Sequence, residues 1–150
     1  MRYFLVLILL SLSLHASACD VTSKESVVKI AGRLAYPDFP QTADILAIVR
    51  VESAFKIHAR NKSYREDSRG LMQINGGPYD PHWNMAIGIG QLRENYLRFH
   101  SKEAAVKAYN IGAKNYATGK YKISAKIYYK KYLHWHELYV ACGKRQHWRY

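Results

Sequence analysis

The chain has 150 residues, with 23 Lys and Arg against 11 Asp and Glu, a formal net charge of +12, and only two cysteines. That length closes a single hydrophobic core, so one domain is the natural count. The basic residues are spread along the chain, locally dense only over residues 120–131 and at Lys144-Arg145. That argues against a nucleic-acid binder, which clusters its charge on a recognisable element, and a solvated surface accounts for most of it.

Met1-Arg2, the apolar run over residues 4–14 and Ala16-Ser17-Ala18 have the layout of a signal peptide over residues 1–18. The run is shorter than the roughly 20 apolar residues a membrane span takes. The mature domain is therefore expected to cover residues 19–150, exported to the periplasm and carrying +11 once Arg2 is removed. An exported basic protein meets the anionic cell wall.

Thr22-Ser23-Lys24-Glu25 reads as a capping box leading into Val27, Val28, Ile30, Ala31 and Leu34, which predicts a helix over 22–35. Pro37 and Pro40 end it. In the next segment Ile45, Ile48, Val49, Glu52 and Phe55 follow helical spacing and form one apolar stripe. Residues 56–69 are polar without a period, a long loop with room for a short hairpin, and Gly76-Gly77-Pro78 forces a turn. A helix over 84–99 presents Met85, Ile89, Leu92, Tyr96 and Phe99 on one face. Gly88 and Gly90 each weaken it by about 1 kcal/mol relative to Ala, so a second backbone packed closely there is expected. Ser101 caps a short helix over 102–109. The last helix begins near Ser124, carries Tyr128, Tyr132, Trp135, Tyr139 and Cys142 on one stripe, and is expected to stop at Gly143. No segment alternates convincingly as a strand, so the architecture is a compact, mostly α bundle.

Glu52 is the chemically informative residue. A carboxylate on an inward face loses water, which raises its pKa, and an acid that stays protonated near neutral pH can give its proton to a leaving oxygen. A Glu in a buried ion pair would occupy the same place, so this helix alone leaves both readings open.

Three later segments favour the first reading. Gly70-Leu71-Met72-Gln73, Asp80-Pro81-His82-Trp83-Asn84-Met85-Ala86-Ile87-Gly88 and Ala108-Tyr109-Asn110-Ile111-Gly112 follow Glu52-Ser53 in order. Each is weak alone; together at this spacing they are strong. Over roughly residues 40–135 the chain resembles the soluble lytic transglycosylase family, relatives of goose-type lysozyme. It departs from the family in having Ile111 where Ala is usual after Tyr-Asn, and in a shorter segment between Gln73 and Asp80, which trims a wall of the sugar groove.

The resemblance implies a mostly α, lysozyme-like helical domain with a long loop after the catalytic helix. It also implies cleavage of the β-1,4 bond between the aminosugars of peptidoglycan. Glu52 would act first as acid and then as base, taking a proton from the sugar's C6 hydroxyl to close a 1,6-anhydro ring without water. Motif matching assigns substrate binding to Ser53, Met72, Gln73, Tyr109 and Asn110, and brings Tyr128 to the catalytic Glu, with Tyr129 as the adjacent register. Ser53 also suits a helix surface and Met72 a core. Of the carboxylates near enough for a second role, Glu66, Asp67, Asp80 and Glu94, none stands out, which suits a reaction assisted by the substrate's own acetamido group. No cofactor is implied. The expected partner is the glycan strand, met by a monomer, and relatives of this size often open the wall locally for a secretion, conjugation or pilus assembly.

Cys19 and Cys142 remain after cleavage, and an even count in an oxidising compartment favours a disulfide. Ala16-Ser17-Ala18-Cys19 also has the outline of a lipoprotein box, although Ala16 replaces the usual Leu. His58, His82, His100, His134 and His136 lack the local spacing of a metal site. The rival functions are a water-using hydrolase of the same fold, a wall-binding assembly protein without turnover, and an exported nucleic-acid binder.

Overall fold

The computed structural model describes residues 24–64 and 66–146. The expected signal peptide, Thr22 of the expected capping box and Cys19 lie outside the described residues. Among the described residues, six helices and one small sheet succeed one another: α1 (Glu25–Leu34), α2 (Thr42–Ser53), β1 (Arg60–Lys62), β2 (Asp67–Arg69), β3 (Ile74–Asn75), α3 (Pro81–Phe99), α4 (Lys102–Ile111), α5 (Ala113–Ala117) and α6 (Lys122–Gln146). The fold is mostly α, as the sequence predicts.

At the centre stands α2. Asp44, Ile45, Leu46, Ala47, Ile48 and Val49 are all fully buried, so the single inward stripe expected of this helix is corrected to burial on every side. A helix wrapped by neighbours needs no polar face, and α2 packs against both α1 and α6. Its start is a reciprocal cap: the Gln41 amide donates to the Asp44 carboxylate at 2.8 Å, and the Gln41 side chain accepts from the backbone of Asp44. Its end is set by Ala54 in the left-handed region, whose N–H donates to the Arg50 carbonyl at 3.1 Å.

Helix α1 opens at Lys24, which makes no side-chain cap. Helix α3 starts three residues earlier than expected. Asp80 caps it by accepting from the Trp83 amide at 2.9 Å, and Pro81 takes the first helical position, where its missing N–H is not needed. Ser101 caps α4 as predicted, accepting from the Ala104 amide at 3.3 Å. Gly112, at φ 82°, breaks the chain between α4 and the short α5, a helix that no signal in the sequence predicts.

The polar loop over 56–69 holds the short hairpin for which it has room, β1 with β2, and β3 beyond the loop completes a three-stranded antiparallel sheet in the order β1-β2-β3, with Arg60 opposite Arg69 and Ser68 opposite Asn75. Its strands are two or three residues long, too short for alternation to be legible. One further expectation is corrected: helix α6 does not stop at Gly143 but runs through it to Gln146. A helical Gly costs only about 1 kcal/mol, and burial of Tyr139 and Cys142 holds the turns before it.

The stripe on α6 is otherwise as expected: Tyr128, Tyr132, Tyr139 and Cys142 are buried and Trp135 packs against the core. No cysteine is free among the described residues. Among them, too, no helix is long and apolar enough to cross a membrane.

Candidate active site

Glu52 sits in the last turn of α2, partly buried at the wall of a cleft of about 1000 Å³. The Tyr128 hydroxyl, on α6, donates to Glu52 Oε1 at 2.5 Å. Burial raises the Glu52 pKa to about 7, against the opposing pull of the Tyr128 hydrogen bond, which favours the ionised form. The partial negative charge at a helix C-terminus works in the same direction as burial. Burial and the adjacent carboxylate push the Tyr128 hydroxyl well above its ordinary range, so it remains a proton-bearing donor. The pair can hold a neutral carboxylic acid near pH 7 and orient it.

Gln73, at the end of the loop from Gly70, also lines the cleft, and Asn84 fixes that loop. Fully buried on α3, Asn84 accepts from the Met72 amide at 2.8 Å and donates to the carbonyls of Arg69 at 2.8 Å and Pro78 at 2.9 Å. A Cβ on Gly70 would lie 2.4 Å from the Asn84 amide nitrogen, and the residue's φ of 77° also excludes most side chains. One helical turn on, a Cβ on Gly88 would meet Met72 Sδ at 2.7 Å. Gly88 therefore makes room for the Met72 side chain, not for a second backbone as expected. A Cβ on Gly90 would meet nothing within 4 Å, and no contact in the structure explains that glycine. Asp80, Pro81, Asn84 and Gly88 form one device that starts a helix and clamps the loop. The Asp-Pro-x-x-Asn pattern marks Asn84 without revealing this role.

The residues matched by motif divide into three groups. Tyr109, Asn110 and Gln73 line the cleft together with Glu52. Tyr109 donates to the Met72 carbonyl at 2.7 Å, joining α4 to the loop. Gln73 gives its amide nitrogen to the carbonyls of Gly70 at 2.9 Å and Ala59 at 3.2 Å. Its donors are thus spent on the backbone, leaving only the amide oxygen for a ligand. Ser53 also lines the cleft, but its hydroxyl donates to the Val49 carbonyl at 3.0 Å, closing the preceding helical turn. Met72 is fully buried in the core and reaches the site only through its backbone.

Three of the four other candidate carboxylates are occupied. Asp67 bridges Arg60 and Arg69, whose guanidinium groups hold its carboxyl well below the usual range. Asp80 caps α3, and Glu94 pairs with Arg98 on the surface. Asp44 is buried behind the site, where it accepts from the Tyr132 hydroxyl at 2.5 Å. Glu66 alone of the four candidates lines the cleft. Sequence reasoning missed Arg50, Lys56, Arg60, Asn61, Ser68, Asn75, Gln91 and Asn115, which complete the walls. The aperiodic polar run over 56–69 was the available signal for half of them.

Residues 75–132 match the family model of the Transglycosylase SLT domain. No curated protein and no solved structure gives a significant match.

Proposed function

We propose that this chain, a peptidoglycan lytic transglycosylase by its SLT domain, uses Glu52 as both acid and base in one non-hydrolytic cleavage. The observation that carries this reading is the Glu52 carboxyl on the cleft wall, held by the Tyr128 hydroxyl at 2.5 Å, with burial raising its pKa to about 7. Its proton passes to the bridging oxygen as the bond to C1 breaks. The acetamido carbonyl of the same sugar steadies the cationic centre, so no second carboxylate is needed. The Glu52 carboxylate then takes the C6 hydroxyl proton as that oxygen bonds to C1. Bonds and protons balance without water, and the product is a 1,6-anhydro sugar.

Tyr109, Asn110 and the Gln73 oxygen are the groups we assign to the sugar's hydroxyl and acetamido functions. Action on peptidoglycan implies export, in accord with the signal-like segment over 1–18. Within that setting we assign the enzyme local opening of the wall, as a monomer serving a secretion, conjugation or pilus assembly.

Glu66 on the cleft wall favours a second reading, in which it positions a water that replaces the C6 hydroxyl. Mass spectrometry of muropeptides released from purified sacculi separates the two: anhydro ends support the first, reducing ends the second. Glu52→Gln should abolish release while the fold persists, and retained lysis by the purified variant removes Glu52 from this role.

A further inference from the structure

A second, smaller cavity of about 380 Å³ adjoins the cleft, lined by Asn110, Ile123, Ser124, Ile127, Tyr128 and Lys131. Two of these belong to the site already described, since Asn110 lines the cleft and Tyr128 holds Glu52. The others lie on the outer face of the first turns of α6. Ile123 is 78% exposed and Ile127 52% exposed, large aliphatic side chains in water beside the catalytic pair. Ile123, Ile127 and Lys131 follow i, i+4, i+8 spacing, so they form one ridge about 12 Å long. Lys131 is exposed, and among the described residues it forms no salt bridge.

The glycan strand of peptidoglycan carries short peptides on lactyl ethers beside the bond that is cut. Such a branch presents methyl groups, amides and free carboxylates, and about four extended residues span the ridge. The two isoleucines offer aliphatic surface, the Asn110 amide can pair with a peptide group, and Lys131 offers a cation to a carboxylate. A second copy of the chain suits the face less well, because Lys126, Lys130 and Lys131 would be set against their own counterparts.

We propose that this ridge holds the peptide branch of the strand, so that the enzyme prefers peptide-bearing glycan to denuded glycan. The proposal rests on the transglycosylase reading above. In the test, wild type, Ile127→Ser, Lys131→Glu and Lys126→Glu act on peptide-bearing strands and on the same strands stripped by an amidase. Lys126 lines a different cavity and controls for a general loss of charge. Wild type should favour peptide-bearing strands in kcat/KM. That ratio should fall about tenfold in Ile127→Ser and about threefold in Lys131→Glu, and stay constant in Lys126→Glu. Equal wild-type rates on both strands, or variants that slow both equally, overturn the proposal and leave the transglycosylase reading intact. No cleavage of either strand overturns both. If Ile127→Ser keeps the ratio but changes the oligomeric state or binding to anionic vesicles, the ridge serves a second copy or a membrane and the assignment falls.

Discussion

Glu52 should leave a signature in stability as well as in activity. Its pKa is raised from 4.5 to about 7, so the folded state binds the proton more tightly than the unfolded chain. Such a group contributes stability that is fully present below pH 4.5 and is lost as pH rises through about 7. At about 1.36 kcal/mol per pH unit, that interval is worth about 3 kcal/mol. Glu52→Gln keeps the shape and an oxygen that can accept from Tyr128, but cannot ionise. Urea unfolding of the two proteins between pH 4 and 8 should give converging stabilities at the acid end. At the alkaline end the variant should be more stable by about 3 kcal/mol, which is roughly 10 °C in Tm. Parallel curves across the window would mean that Glu52 is solvated, and the buried-acid argument would fail even if the variant were inactive.

Tyr128→Phe removes the hydrogen bond that opposes the raised pKa, so the alkaline limb of kcat/KM should move upward while activity drops by about tenfold to a hundredfold; an unmoved limb would separate Tyr128 from the acid. Asn84→Ala leaves the Met72 amide and the Arg69 and Pro78 carbonyls without their partner, at a cost of at least about 3 kcal/mol in denaturant unfolding; a loss under about 1 kcal/mol would show that the clamp is dispensable. If Cys19 and Cys142 are bridged, reductant should lower Tm by several degrees, since closing so long a loop is worth on the order of 4 kcal/mol. Two reactive thiols in the native protein, or lipid on Cys19, would reject the bridge.

The helical periods of α3 and α6 were legible because each carries a buried stripe of large residues at constant spacing. Helix α2 was legible as a helix but not as the centre of the molecule, because burial on all sides depends on α1 and α6 arriving from elsewhere in the chain. The motifs named the neighbourhood of Ser53, Met72 and Gln73 but not the backbone partners of Ser53 and Gln73 or which of the two readings of Met72 holds. Whether a hydroxyl closes its own helical turn, or an amide pins a loop, depends on backbone geometry that a pattern of letters does not contain. The choice of Tyr128 over Tyr129 is a matter of about 100° of helix rotation. The packing of α6 against α2 turns Tyr128 towards Glu52, while Tyr129 stacks on Tyr132. Glu66 was legible as a candidate carboxylate but not as the one that lines the cleft, and Gln91 had no readable signal, since nothing local marks an exposed polar residue as facing a cleft.

Support and chemistry are carried by different parts of this chain. The clamp of Asp80, Asn84 and Gly88 shapes the loop, and none of these residues lines the cleft. Glu52 and Tyr128 belong to two helices 76 residues apart in sequence, and their meeting places a carboxyl where its charge is costly. Variants of the clamp should therefore lose stability and activity together. Variants that neutralise Glu52 should gain stability above pH 7 while losing activity, the pattern expected where a fold carries an unfavourable group for the sake of its reaction. A carboxylate that served only as half of a buried ion pair would behave in the opposite way, since neutralising it would strand its partner and destabilise the protein by about 3–5 kcal/mol. No cation is paired with Glu52 among the described residues, and its hydrogen-bond donor is a neutral phenol. The sign of the stability change in Glu52→Gln thus distinguishes an acid kept for chemistry from a carboxylate kept for structure, without an activity measurement.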